Sequence, residues 1–139
     1  MRLVIDTNVL ISALLSGQSL PALLVALWQQ RQFELLMLAE QLDEIRRVTR
    51  YPKLRVRLRP DLAGRLINEM QHKSLMIDKL PSVILSPDSD DNHLLALAEA
   101  GDADFLITGD NRDLLAMERY AGTRILSVRA FLTLQRWLP

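Results

Sequence analysis

Short apolar runs alternate along the chain with longer stretches in which apolar residues recur every three or four positions. The runs are Leu3-Val4-Ile5, residues 33–38, Phe105-Leu106-Ile107 within 104–108, and residues 124–127. Runs of this length suit strands buried on both faces of a parallel sheet, although period alone leaves a buried helix open for each. Between them the 3.6-residue period predicts helices. One covers residues 8–15 and stops near Ser16-Gly17, and a second runs from near Pro21 to about residue 30. A third spans 40–50 with Leu42, Ile45 and Val48 on its stripe, closed by Tyr51-Pro52. Pro60 suits the first turn of another, reaching about residue 73 with Leu62, Leu66, Ile67 and Met70 inward. Residues 91–100 place Leu94, Leu95 and Ala98 on one face, 111–120 are mostly helical, and a terminal helix carries Phe131, Leu134 and Trp137-Leu138. Residues 53–59 alternate basic and apolar positions and read either as a short edge strand or as a distorted turn of helix; 75–85 hold short apolar pieces around Pro81. Strands alternating with helices predict a three-layer α/β/α sandwich around a central parallel sheet.

Length and composition narrow the class. A chain of 139 residues is about one domain long, so residues 1–139 are read as a single domain with a sizeable core. No apolar run approaches the roughly 18 residues of a membrane span. An aspartate at position 6 interrupts anything resembling a signal peptide. With no cysteine there are no disulfides, thiolate metal sites or cysteine nucleophiles, and a reducing cytoplasm is the expected compartment. The net charge is zero, but its distribution is uneven. Residues 46–65 carry eight basic side chains against Asp61 alone, which leaves the remainder acidic by the same margin. A basic surface beside an acidic region is expected.

The acidic residues that matter stand at element boundaries. Asp6 follows the first buried run directly, at the rim where open α/β sheets place their ligands; the plainer reading is a helix cap. Asp91 shares the stripe of Leu94, Leu95 and Ala98 and so faces the core side of its helix. A negative charge near a helix N-terminus is worth about 0.3–1 kcal/mol, but Asp88 and Asp90 already supply one. Asp110 repeats the placement of Asp6 after the run 105–107, with N-capping as its plain alternative and Asp113 as an imperfect capping-box partner. Glu44, at about 100° per residue, lies roughly 40° from Val48 on the flank of its stripe. Its plain alternative is a surface pair with Arg47, and Glu40 competes for the same role.

Crowded carboxylates repel one another unless they share a cation. Four carboxylates without cysteine form the ligand set of a hard divalent ion, Mg2+ or Mn2+. Such an ion beside a phosphodiester can activate water and neutralise the leaving oxygen. Histidine is a poor catalytic candidate, since His72 lies in a polar helix end and His93, two residues from Asp91, is expected to point elsewhere.

Four segments carry a family resemblance: Val4-Ile5-Asp6-Thr7-Asn8-Val9-Leu10; Asp43-Glu44-Ile45-Arg46-Arg47-Val48; Pro87-Asp88 through Asp91-Asn92-His93-Leu94-Leu95-Ala96-Leu97-Ala98; and Leu106-Ile107-Thr108-Gly109-Asp110. In this order they resemble the motifs of PIN-domain ribonucleases, most closely the bacterial toxins of toxin–antitoxin pairs. The resemblance implies Asp6, Glu44, Asp91 and Asp110 as metal-binding acids, Asn8 and Thr108 as polar neighbours, and Asp113 as a fifth acid. It implies Mg2+- or Mn2+-dependent cleavage of single-stranded RNA, leaving a 5′-phosphate and a 3′-hydroxyl. Homodimers or higher homo-oligomers, and a small antitoxin protein as inhibitor, are implied as well. One departure is the pair Asn111-Arg112, which separates Asp110 from Asp113 by one residue more than the spacing associated with this branch and weakens the case for Asp113.

The basic stretch offers a substrate role. An acidic pocket repels RNA, so flanking cations must hold the phosphates. Arg46, Arg47, Arg50, Arg55 and Arg57 are candidates for an approach track, against the alternative of a solvated face that binds an acidic partner or nothing. Two rivals remain from other classes. A non-catalytic module that grips nucleic acid or protein would be expected to lose some of the four acids. An aspartyl phosphotransferase would carry a second aspartate at position 8, where this chain has Asn8. Nothing in the residues separates RNA from DNA.

Overall fold

The computed structural model of the protein describes residues 1–138. Position 139, included above in the single-domain reading, lies outside the described residues. Strand β1 (Arg2–Ile5) is flanked on one side by β2 (Glu34–Met37) and on the other by β4 (Phe105–Thr108). Parallel register pairs Leu3 with Leu35 and Phe105, and Val4 with Leu36 and Leu106. Beyond β2 lies the two-residue β3 (Leu75–Met76), and beyond β4 lie β6 (Thr123–Ser127) and β5 (Arg119–Tyr120). The order is β3-β2-β1-β4-β6-β5 among the described residues.

Because side chains alternate across a strand, the central runs fill two cores. Leu3, Ile5, Leu35, Met37 and Ile107 pack towards α1 (Thr7–Leu15), α2 (Leu20–Gln29), α3 (Ala39–Thr49), α5 (Pro60–Lys73) and α8 (Val128–Leu134). Val4, Leu36 and Leu106 pack towards α6 (Ser89–Ala100) and α7 (Arg112–Met117). This is the expected three-layer α/β/α sandwich. Phe131, fully buried, anchors the first core with edge-to-face contacts to Phe33, Phe105 and Trp137 at centroid distances of 6.2, 5.1 and 5.7 Å. Such pairs contribute about 0.5–1.5 kcal/mol each beyond the area they bury.

Residues 53–59 take the helical one of the two readings that the sequence leaves open: α4 (Pro52–Arg55) is a single turn of helix started by its proline. The structure departs from expectation at Leu62, which is exposed on α5 and not inward, and at three helix ends. The predicted helix over 111–120 stops at Met117, because Glu118 turns to a φ of 60° and Ala121 to 51°, reversing the chain into an antiparallel β5–β6 hairpin. The sheet is therefore mostly, not wholly, parallel. The terminal helix ends at Leu134; Arg136, at a φ of 61°, takes the left-handed conformation common just past a helix end. The chain then folds back and lays Trp137 on Phe131. Finally, α6 begins at Ser89, two residues before the predicted start, because Asp88 supplies the cap by accepting the Asp90 amide at 2.8 Å.

Among the described residues no single helix is long and apolar enough to cross a membrane; α1 and α2, the one apolar pair, meet at a bend of 99°. The chain leaves β1 towards β2 on one side and reaches β4 on the other. Loops at the C-terminal ends of β1 and β4 therefore diverge and open a crevice, the usual ligand position in such sheets.

Candidate active site

Asp6 sits where β1 hands over to α1. Its amide makes one more rung with Ile107 O at 2.8 Å, so the residue is fixed at the sheet edge. One carboxylate oxygen accepts from the Asn8 amide at 3.3 Å as the cap of α1, and the other accepts from the fully buried Thr108 hydroxyl at 2.9 Å. Both sequence readings of Asp6 hold together: it caps a helix and it faces the crevice. The positive end of α1 favours the carboxylate there.

Glu40 and Glu44 reach the crevice from α3, four residues apart on one face. Their placement depends on a residue the sequence reading passed over. Gln41 is buried, accepts from the Leu38 amide at 3.2 Å, and donates to Ile5 O at 3.1 Å and to the Thr7 hydroxyl at 3.3 Å. The first turn of α3 is thereby pinned to the end of β1. A polar residue between Glu40 and Leu42 was the available signal. The surface pair of Glu44 with Arg47 does not form; Arg46 pairs with Asp43 instead, at 3.3 Å.

Asp91 enters from the first turn of α6 and is only 4 % exposed. Asn111 donates to one oxygen at 2.7 Å and the Ser86 hydroxyl to the other at 3.2 Å. Burial pushes its pKa up from the ordinary 3.8; the Asn111 bond pulls it back, the Asp88 charge raises it, the Ser86 bond lowers it, and the Asp6 charge raises it again. A buried carboxylate facing like charges is costly in its ionised form.

Ser86 is itself held by a clasp. The Asn92 side chain accepts from the Leu85 and Ser86 amides at 3.1 and 2.9 Å and donates to Ser86 O at 2.8 Å. Asn92→Ala removes all three bonds. We expect a loss of about 1–2 kcal/mol, the range for a few partly exposed hydrogen bonds. Hydrogen exchange will read it as faster exchange at the Leu85 and Ser86 amides.

The crevice has a volume of about 150 Å³ and is walled by Asp6, Glu40, Glu44, Asp88, Asp90 and Asp91, with Thr7, Asn8, Gln41 and Asn111 between them. His93, exposed, also lies on this wall, contrary to the expectation that it points away. Among the described residues the ion pairs are Arg46–Asp43 and Lys73–Glu69, and neither reaches the crevice. The donor set, carboxylate and amide oxygens with no lysine or arginine among the described residues of the wall, is that of a hard divalent ion. Among the described residues no three of these side chains are grouped so as to hold an ion between them. Mg2+ keeps several waters and is commonly held by one or two carboxylates plus substrate phosphates, so the crevice acids would meet it partly through water.

Asp110 and Asp113 are exposed and do not line the crevice. The cap of α7 is the residue after Asp110: Asn111 accepts the Leu114 amide at 3.1 Å while its NH2 holds Asp91. Asn8 is exposed on the wall, and its side chain faces the open space. The five arginines do not form one track. Arg46, Arg50 and Arg55 line a groove between α3, α4 and α5, Arg57 lines another against α1 and α2, and Arg47 lies on neither.

The PIN domain family matches residues 2–112 of this chain. No curated protein and no solved structure matches it.

Proposed function

The chain belongs to the PIN-domain family, whose members are generally nucleases, and from that membership we propose that it is a divalent-metal-dependent endoribonuclease acting on single-stranded RNA. The observation that carries this reading is the meeting of Asp6, Glu44 and Asp91, from three separate elements, in one crevice that, among the described residues, no lysine or arginine lines. One or two of these acids would hold Mg2+ or Mn2+ directly and the rest through water, with Asp110, next to the crevice-lining Asn111 but outside the crevice, as the fourth acid that the resemblance implies. When bound, the cation supplies positive charge opposite the scissile phosphate and makes an attacking water easier to deprotonate. The chain's own residues set the geometry. Thr108 and the α1 amides orient Asp6, Asn111 and Ser86 orient Asp91, and Asn8 offers a polar side chain to the substrate. Water adds to phosphorus as the bond to the 3′-oxygen breaks, which leaves a 3′-hydroxyl and a 5′-phosphate.

The resemblance supports the finer parts of the proposal: a toxin of a toxin–antitoxin pair, homodimeric or larger, restrained by a small antitoxin protein; the absence of cysteine supports a cytoplasmic location. A second reading draws on the spacing of the carboxylates and the exposure of Asp110: a module that binds nucleic acid or protein without cutting it. An assay with labelled single-stranded RNA separates the two. Nuclease action predicts fragments with 5′-phosphate ends in Mg2+ or Mn2+ and none in EDTA. Folded protein that binds RNA but leaves it whole in either metal supports the module.

A further inference from the structure

We propose that the groove between α3, α4 and α5 seats the phosphate backbone of the RNA next to the stretch held in the acidic crevice. The proposal rests on the nuclease reading and adds to it the place where the substrate is gripped. At about 470 Å³ the groove is three times the volume of the crevice, and no carboxylate lines it. Arg50 and Arg55 are exposed on its rim and make no ion pair among the described residues. Arg46 is tied to Asp43 at 3.3 Å and to Gln71 at 2.7 Å, which fixes that wall. Leu58, Ala63 and Ile67 form an apolar floor, and Gly64 leaves it uncovered, since a Cβ there would meet nothing within 4 Å.

Position relative to the crevice singles out RNA as the occupant. Glu44 lies on α3 and Arg50 caps its C-terminus, six residues and so about 9 Å apart along the axis. At about 100° per residue, Thr49 and Arg50 stand roughly 120–140° around α3 from Glu44. The crevice and the groove thus flank opposite sides of a single helix, about 10–12 Å wide with its side chains. A strand bent over α3 leaves a surface that needs a cation to approach and enters one that needs none. The alternative groove carries Arg57, Arg59 and Arg65, but Glu69 also lines it and no residue of α3 does, so it does not share with the crevice the helix over which a strand would bend.

The test measures binding of a fluorescent single-stranded RNA to Asp6→Asn protein, which removes cleavage, over a range of salt concentrations. Each phosphate contact on a single strand contributes about 0.7 to the slope of log affinity against log salt. Adding Arg50→Gln and Arg55→Gln should therefore flatten the slope by about 1.4 and weaken binding uniformly across sequences. Arg119→Gln with Arg124→Gln, which removes the same charge at the opposite end of the sheet, should leave the slope as it was. Equal slopes for the two double variants overturn the groove, and the nuclease reading stands if the wild type still cuts RNA in Mg2+. A wild type that neither cuts nor binds RNA, while poly-glutamate binding is lost on the Arg50/Arg55 substitutions, overturns both in favour of an acidic protein partner. Should those substitutions unfold the chain, phenylglyoxal labelling of wild-type protein decides. RNA should protect Arg50 and Arg55 and leave Arg119 and Arg124 reactive; no protection at the first pair overturns the proposal.

Discussion

Replacing Asp6 by asparagine is expected to slow RNA cleavage by about a thousandfold, the rate equivalent of the several kcal/mol that a bound cation contributes to a phosphoryl transition state. The fold should survive the change. Asparagine retains an oxygen for the Asn8 amide, and its NH2 meets the Thr108 hydroxyl, which can accept as well as donate. An N-cap exchange of this kind costs little, since Asn and Asp rank together as caps. Thermal melting in EDTA should therefore be close to that of the wild type, while turnover in Mg2+ collapses. If the rate fell only as far as stability fell, Asp6 would be a cap and nothing more.

Asp91→Asn should show a different signature: loss of cleavage together with a gain in stability. The Asp91 carboxyl is buried, and the Asp88 and Asp6 charges face it, so its folded pKa lies above 3.8. A carboxyl that binds its proton more tightly in the folded chain adds stability fully below 3.8, and that stability is lost as pH rises through the raised folded value. At neutral pH the ionised group is a net cost. Asparagine keeps its acceptor for Asn111 and turns its NH2 to the Ser86 oxygen, so both contacts persist without the charge. In EDTA at neutral pH the variant should melt a few degrees higher than the wild type, and the gap should close in acid where Asp91 is protonated. Calorimetry across pH reads this directly. A variant that melts lower at every pH would mean that Asn111 and Ser86 repay more than burial takes away. Mg2+ should narrow the neutral-pH gap from the other side, because a cation that binds only the folded wild type stabilises it.

Much of this was legible in the chain. Asp6 and Asp91 could be read because each stands against an unambiguous apolar pattern, one at the end of a buried run and the other on a helix stripe. Glu44 was harder. Its face is set by Gln41 reaching across to Ile5, a tertiary contact with no local signature. At the end of β4 the row Gly109-Asp110-Asn111-Arg112 offers two equally good caps, and Asn111 is the one that accepts the Leu114 amide. Asn111, one of the pair that separates Asp110 from Asp113, takes both the cap and the contact with Asp91. The β5 strand was hidden because Ala121 adopts a positive φ that residue preferences do not foresee. The basic stretch looked continuous in sequence, yet the turn at α4 divides it, sending Arg55 into one groove and Arg57 into another.

The central claim is that the crevice exists to hold a divalent ion. A crystal grown with Mn2+ and measured at its absorption edge tests it most directly. Anomalous density in the crevice, in contact with Asp6 and Asp91, is the predicted result. Ordered carboxylates around a crevice without density, or Mn2+ found only elsewhere on the surface, would contradict it.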